Sequence, residues 1–236
     1  MRPLLPRAGK VFDTRQRFAE RRFGHAWTPS RFDVTRAARM RELLGKRPVG
    51  RLLDVGCYDG RLSLAVAARS ADEPIIGLDV AESALRAARA RGLLGVRAQV
   101  EAPLPFADQT FATVVAAEVI EHVFDTQSVL AELARVLRPG GWLLVTTPNL
   151  VALSGRARLL LGQSPDNIEY DASPGTSGHI RYFTFGTLEA LLRQVHLRPV
   201  GRWTNVVHFS VLGSSAAVGR LRPSLGHTII SLSVKD

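Results

Sequence analysis

Two acids and two glycines raise the first chemical question in this 236-residue chain. They stand in "LLDVGCYDG" (52–60) and "IIGLDV" (75–80), where Asp54 and Asp79 each end an apolar run and Gly56 and Gly60 frame a turn. A second set lies in "EVIEHV" (118–123), which places Glu118, Glu121 and His122 within five residues, and "HIRYFT" (179–184) adds His179. A carboxylate at a strand end binds hydroxyls or an ammonium. Carboxylates mixed with imidazoles either move a proton or hold a divalent cation.

The turn discriminates among ligands. A phosphate-binding loop needs G-x-x-x-x-G-K-[ST], and no Lys-Ser/Thr follows Gly60. A dinucleotide fingerprint needs G-x-G-x-x-G, but counting from Gly56 the later glycines would fall at Tyr58 and Arg61. Asp54 and Asp59 would also repel a pyrophosphate. A nucleoside with positive charge and no phosphate fits better, and S-adenosylmethionine has a sulfonium and an α-ammonium. On this reading Asp54 faces the ammonium, Gly56 and Gly60 let backbone approach closely, and Asp79 accepts from both ribose hydroxyls.

These residues need elements to hold them. "RLLDV" (51–55), "PIIGLDV" (74–80), "VRAQV" (96–100), "FATVVAAE" (111–118) and "WLLVTTP" (142–148) read as buried strands. Helical spacing over 33–44 (with Asp33 as cap), 61–69, 82–91 and 126–137 separates them, and Gly45, Gly92 and Pro139-Gly140-Gly141 stop three of the helices. Strands alternating with helices predict a parallel sheet covered on both faces. After Pro148 the spacing loosens. "NLVALSGRARLLLG" fits an amphipathic helix, 163–178 is loop chemistry of a length that suits a lid or acceptor segment, 184–195 is helical, and β-like stretches near 199–211 and 227–235 follow. One domain over 1–236 is expected, with a basic helical cap at 1–45 and an acceptor-side insertion at 149–185.

"LLDVGCYDG", "IIGLDV", "PLPFADQTFATVVAAEVIEHV", "LARVLRPGGWLLVTTPN" and "GHIRYFTFGTLEALL" together resemble the class I S-adenosylmethionine-dependent methyltransferases. Within them the chain is similar to the branch that includes ubiquinone-pathway O-methyltransferases. The resemblance implies an α/β, Rossmann-like seven-stranded mixed sheet of order 3-2-1-4-5-7-6, the seventh strand antiparallel, with helices on both faces. It also implies S-adenosyl-L-methionine contacts from Asp54, Gly56, Cys57, Tyr58 and Gly60 in the first turn. Asp79 and Val80 would contribute after the second strand, Gln99 and Val100 near the adenine, and Ala117 and Glu118 at the end of the fourth strand. Arg36 matches an arginine that reaches the cofactor from the preceding helix. The chain departs from the family at Tyr58, where glycine is usual, and at Gln99, where an acid is common. Cys57 reads as packing, and no G-x-S-x-G supports a hydrolase nucleophile.

Methyl transfer from a sulfonium mainly requires alignment of donor and acceptor. An oxygen or nitrogen acceptor must also lose a proton, so His122 and His179 are the candidate catalytic bases. In the favoured reading "EVIEHV" supports the cofactor without a metal. In the other, Glu118, Glu121 and His122 ligate a divalent cation, as in ubiquinone-pathway relatives. His179 would be the fourth ligand, by similarity to small-RNA 3′-end 2′-O-methyltransferases. His25, His196, His208 and His227 show no partner in sequence, and Arg181 and Tyr182 would line the acceptor side.

The expected activity is methyl transfer, to oxygen, on a small-molecule, lipid-linked or glycan acceptor. The alternatives are a metal-dependent RNA 2′-O-methyltransferase and a non-catalytic partner that keeps the fold. A nucleic-acid partner is not favoured, because no aromatic-studded RNA-binding module is visible. The net charge of +10 sits wholly on residues 1–51, with 14 Lys/Arg against 4 Asp/Glu. That segment suits peripheral contact with an anionic membrane, although 28 Arg against 3 Lys also fits a general arginine bias. One cysteine excludes an internal disulfide and, with no apolar run of membrane-spanning length, places the expected chain in the cytoplasm. Neither the acceptor nor the oligomeric state is legible.

Overall fold

The structure is a computed structural model that describes residues 29–45, 47, 50–67, 73–169, 178–209 and 213–236. The expectations for 1–28, His25 included, and for 170–177 of the 163–178 loop lie outside the described residues. None of the described helices is long and apolar enough to cross a membrane.

The chain enters the described region through α1 (Arg31–Leu44). Its cap is Ser30 rather than Asp33. The Ser30 hydroxyl accepts from the Asp33 N–H at 3.2 Å and the Asp33 carboxylate accepts from the Ser30 N–H at 2.9 Å, a reciprocal capping box with Asp33 three positions in. Then follow β1 (Leu52–Val55), α2 (Arg61–Ala67), β2 (Ile76–Asp79), α3 (Glu82–Ala90), β3 (Leu94–Arg97) and β4 (Phe111–Ala117). A 3₁₀ turn at Ile120–His122 leads to α4 (Thr126–Val136), β5 (Leu137–Pro148), α5 (Leu153–Leu160) and α6 (Phe185–Gln194). β6 (Leu197–Trp203), β7 (Val207–Phe209), β8 (Gly213–Ser215), α7 (Ala216–Leu221) and β9 (Thr228–Lys235) close the chain.

The main sheet has seven strands in the order β3-β2-β1-β4-β5-β9-β6. β9, the seventh strand of that sheet, runs antiparallel to both neighbours, while β3 to β5 are parallel. This is the expected 3-2-1-4-5-7-6 arrangement. Both faces are buried, as the apolar strands require. Along β4 and β5, Val114, Ala116, Leu143 and Val145 pack toward α4 and α6, with Leu130, Leu133, Leu188 and Leu192. Val115 and Leu144 turn to the other face, where Met40, Leu43 and Leu44 of α1 and Val66 of α2 cover them. This two-residue alternation fixes the register, since a one-residue slip would invert every side chain.

Three expected boundaries move. β3 covers 94–97, not 96–100, because its ladder with β2 runs from Ile76–Leu94 to Asp79–Arg97 and ends where β2 ends. Gln99 and Val100 therefore lie in the following loop. β5 starts at Leu137 rather than 142, since Leu137 already pairs with Phe111 and a register irregularity absorbs the Pro-Gly-Gly segment. The 199–211 stretch divides, with β7 pairing β8 outside the main sheet. At the break, buried Asn205 accepts from the N–H groups of Val206 (2.8 Å) and Thr228 (3.3 Å), and Thr204 donates to the Thr228 carbonyl at 2.6 Å. These side chains take backbone groups a ladder would otherwise use.

Candidate active site

The carboxyl ends of the parallel strands, where open α/β sheets bind ligands, bring the first set of residues together. After β1 the chain turns at Gly56, whose φ of +70° is the left-handed region that favours glycine. A Cβ there would stand 2.7 Å from Val119 Cγ2. The Gly56 and Cys57 N–H groups both donate to the Leu78 carbonyl. Tyr58 also adopts a positive φ, +51°, which accounts for glycine being usual here. Its N–H donates to Asp79 Oδ2 at 3.0 Å, and Asp79 Oδ1 accepts from the Ala81 N–H at 2.9 Å. The carboxylate ending β2 is thus fixed beside the turn ending β1. The Ala98 N–H donates to the Asp79 carbonyl, which sets half-buried Val80, Gln99 and Val100 next to the same edge.

Two acids of the turn are held by protein partners. Asp54, expected at a ligand ammonium, is only 2% exposed and accepts from the Ser63 hydroxyl of α2. Burial pushes its pKa up to about 7, against the opposing Ser63 bond and with the Asp79 charge adding to the rise. Asp59 pairs with Arg61 and Arg91 at 3.0 and 3.3 Å and ties the turn to α2 and α3. Cys57 is buried, and burial together with Asp54 and Asp79 raises its thiol, so it is uncharged and packed at neutral pH.

The second set gathers where β4 ends. Ala117 is half-buried, and Glu118 takes a φ of +56°, uncommon for a residue with a side chain. Its N–H donates to the Thr146 carbonyl, its Oε1 accepts from the Thr146 hydroxyl at 2.8 Å, and its Oε2 meets Arg36 Nη1 at 3.2 Å. Arg36 does reach this edge from α1, held also by Asp33 at 2.9 Å. Glu121 follows in the 3₁₀ turn, 1% exposed. Its Oε2 accepts from the Thr147 hydroxyl at 3.0 Å, while its buried Oε1 has no hydrogen-bond partner. Burial, then the charge of Glu118, raises the Glu121 pKa well above the carboxylate range.

His122 Nε2 lies 4.0 Å from Glu121 Oε1, and its Nδ1 is 3.1 Å from the Gly178 carbonyl. The His122 and His179 rings stand 5.0 Å apart, and His179 Nδ1 is buried without a hydrogen-bond partner. One donor atom each of Glu121, His122 and His179 falls within a 4.8 Å cluster. Glu118 stands outside that cluster, because Thr146 and Arg36 take its two oxygens. Of the four residues named in the alternative, metal-binding reading, Glu121, His122 and His179 are the three that cluster. Two buried polar atoms without partners facing one imidazole fit a proton or a cation between them, and the mixed N/O donors suit Mn²⁺ or Fe²⁺ better than Mg²⁺.

Several contacts at this site are not legible in sequence. The N–H groups of Ile180 and Arg181 donate to the Glu121 carbonyl, which docks the His179 segment against the 3₁₀ turn. Arg181 lies over the Phe124 ring at 5.1 Å and donates to its carbonyl. The Tyr182 hydroxyl sits with Glu169 and His179 rather than in the open. Phe32 of α1 stacks on His227 at 4.6 Å and meets His208 edge-on at 5.9 Å, so these two histidines anchor the helix that carries Arg36. Burial pushes the His227 pKa down. His196 is exposed. Only long-range packing brings these groups together, and no local spacing announces them.

Comparison with known proteins agrees with the geometry. Residues 53–145 match the methyltransferase domain family. The chain is 33% identical to a ubiquinone biosynthesis O-methyltransferase of Bordetella avium, over 75% of this chain and 72% of that protein. It is 34% identical to a protein of the same name from Leptothrix cholodnii, over 46% of this chain and 48% of that one. A crystal structure of an S-adenosylmethionine-dependent methyltransferase from Thermotoga maritima, described as a possible histamine N-methyltransferase, superposes with a TM-score of 0.62 at 20% identity. It covers 96% of this chain and 99% of that one.

Proposed function

Because this chain belongs to the class I S-adenosylmethionine-dependent methyltransferases, we propose that it methylates an oxygen of a small-molecule, lipid-linked or glycan acceptor. The observation that carries the oxygen assignment is the cluster of Glu121, His122 and His179, with two buried polar atoms lacking partners, at the strand edge beside the cofactor turn. A hydroxyl must lose its proton to become a competent nucleophile, and this cluster is where a proton or a cation is accommodated. The relatives named as ubiquinone biosynthesis O-methyltransferases support the same choice of atom.

The cofactor side fits this chain's residues. The Asp79 carboxylate, fixed by two backbone N–H groups, is pre-set to accept from vicinal ribose hydroxyls. The left-handed turn at Gly56 leaves backbone exposed to close approach, and Gln99 and Val100 flank the space beyond Asp79. Asp54 braces the turn from below through Ser63. Arg36 and Glu118 hold α1 over the end of β4. Bound S-adenosylmethionine supplies an activated methyl group. The residues orient the acceptor beside it, and His122 or His179 takes the acceptor's proton. If a divalent cation serves, Glu121, His122 and His179 hold it and the cation lowers the pKa of the hydroxyl. The RNA 2′-O alternative draws on Glu118, Glu121, His122 and His179, of which the last three offer donor atoms within 4.8 Å of one another.

Calorimetric titration tests the reading in two steps. S-adenosylhomocysteine should bind saturably, and an Asp79→Ala variant should bind it far more weakly. Mn²⁺ is then titrated into the saturated protein and into His179→Ala. Binding lost in the variant assigns a cation to the cluster. No Mn²⁺ binding leaves the imidazoles as bases, and no S-adenosylhomocysteine binding overturns the assignment altogether.

A further inference from the structure

We propose that Glu169 is the positioning residue of the His122–His179 pair. One of its carboxylate oxygens, Oε2, accepts from two successive backbone N–H groups, Gly178 at 2.6 Å and His179 at 2.9 Å. Gly178 has a φ of +77°, a conformation that lets consecutive N–H groups converge on one anionic oxygen. The Gly178 carbonyl, 3.1 Å from His122 Nδ1, then orients the second imidazole. A single half-buried carboxylate therefore fixes both the backbone that carries His179 and the acceptor that sets the His122 ring. Such charge-assisted bonds are short and about twice as strong as neutral ones.

The Tyr182 hydroxyl completes the clasp. It accepts from the Glu169 N–H at 3.1 Å and lies 3.3 Å from the His179 carbonyl. Beyond His179, the N–H groups of Ile180 and Arg181 bind the Glu121 carbonyl. His179 is thus pinned on both sides, to Glu169 before it and to the 3₁₀ turn after it. In these bonds Glu169 acts on the pair through the backbone that carries it. The inference rests on the proposed function only for what the imidazoles do, and the clasp itself stands on the geometry.

The test uses the full chain uniformly labelled with ¹⁵N and ¹³C. In the wild type, the Gly178 and His179 amides should exchange with solvent at least about tenfold slower than unprotected amides, and His122 and His179 should show a ring-to-ring Overhauser contact. Glu169→Ala should abolish that contact while S-adenosylhomocysteine affinity stays within about twofold, because the cofactor edge is untouched. Glu169→Gln, whose amide oxygen still accepts, should restore it. Where Mn²⁺ alone binds the wild type, its affinity should fall roughly 10- to 100-fold in Glu169→Ala, the usual loss on removing a group that supports metal ligands. Unprotected amides in the wild type, or an unchanged ring contact in Glu169→Ala, would overturn the proposal. If Glu169→Ala does not fold, the wild-type amide rates decide alone. Absence of Mn²⁺ binding in the wild type counts against a cation in the cluster, while the exchange rates and ring contact still judge the clasp.

Discussion

Asp79 holds Tyr58. Its Oδ2 accepts from the Tyr58 N–H at 3.0 Å while its Oδ1 accepts from Ala81 at 2.9 Å, so the acid ending β2 staples the turn that follows β1. The bond also helps keep Tyr58 at a φ of +51°, where a side chain is disfavoured. Asp79→Ala should weaken S-adenosylhomocysteine binding by about 10- to 100-fold, the scale of losing hydrogen bonds to a charged group. The melting temperature should fall as well, because two N–H groups lose their acceptor. Asp79→Asn, which keeps one acceptor oxygen, should lie between. Calorimetry and thermal melts on the three proteins check the order.

Gly56 and Gly92 both have positive φ but different surroundings. A Cβ at Gly56 would meet Val119 Cγ2 at 2.7 Å, whereas one at Gly92 would meet nothing within 4 Å. Gly56→Ala should therefore cost about 2–4 kcal/mol, the backbone penalty plus steric overpacking. Gly92→Ala should cost only the backbone share, about 1–2 kcal/mol. Urea unfolding of the two variants separates these contributions, and equal losses would show that the Val119 contact relaxes freely.

The buried acid of the first turn gives the fold a pH dependence. Burial lifts Asp54 from 3.8 to about 7 in the folded chain. Between those values the folded protein keeps a proton that the unfolded chain has lost, so stability falls as pH rises from about 4 to about 7. The decline belongs to Asp54 and is on the order of a few kcal/mol. Asp54→Asn keeps an acceptor for Ser63 and has no proton to lose. Melting temperatures recorded from pH 5 to 8 should decline more steeply in the wild type than in the variant. Parallel slopes would remove Asp54 as the cause.

Much of this was legible because the signals were local. The alternation of strands and helices follows from apolar runs spaced by helical periodicity, the strand order follows from the family resemblance, and counting places Gly56, Asp79 and "EVIEHV" at strand ends. The Ser30 cap was misjudged as Asp33 because both ends of a capping box are good caps, and only the geometry tells them apart. The split between Glu118 and the other three candidate ligands is equally hidden from counting. Residues 118, 121 and 122 are neighbours in sequence, but the backbone at 118 is left-handed and its carboxylate meets Thr146 and Arg36. Glu169, Thr147 and Phe32 gave no signal, since each matters only through a partner brought in by tertiary packing.

Glu121 supplies the last prediction. Burial and the neighbouring Glu118 raise its pKa, so the folded chain retains a proton there that the unfolded chain would release. Its contribution to stability accordingly falls as pH rises above the ordinary carboxylate range. Glu121→Gln replaces the acid by a neutral side chain of the same shape, which can keep the Thr147 bond. Because burial disfavours the charged carboxylate, the variant's stability near neutral pH should equal or exceed that of the wild type, as thermal or urea unfolding would show. A cation reverses the preference, because it must displace that proton to use the carboxylate. If Mn²⁺ binds, its affinity should therefore rise with pH, by up to about tenfold per unit while Glu121 remains protonated, and Glu121→Gln should remove both the binding and its pH dependence. Mn²⁺ titrations at pH 6, 7 and 8 on the two proteins measure this, and pH-independent affinity would show that the cation does not use Glu121.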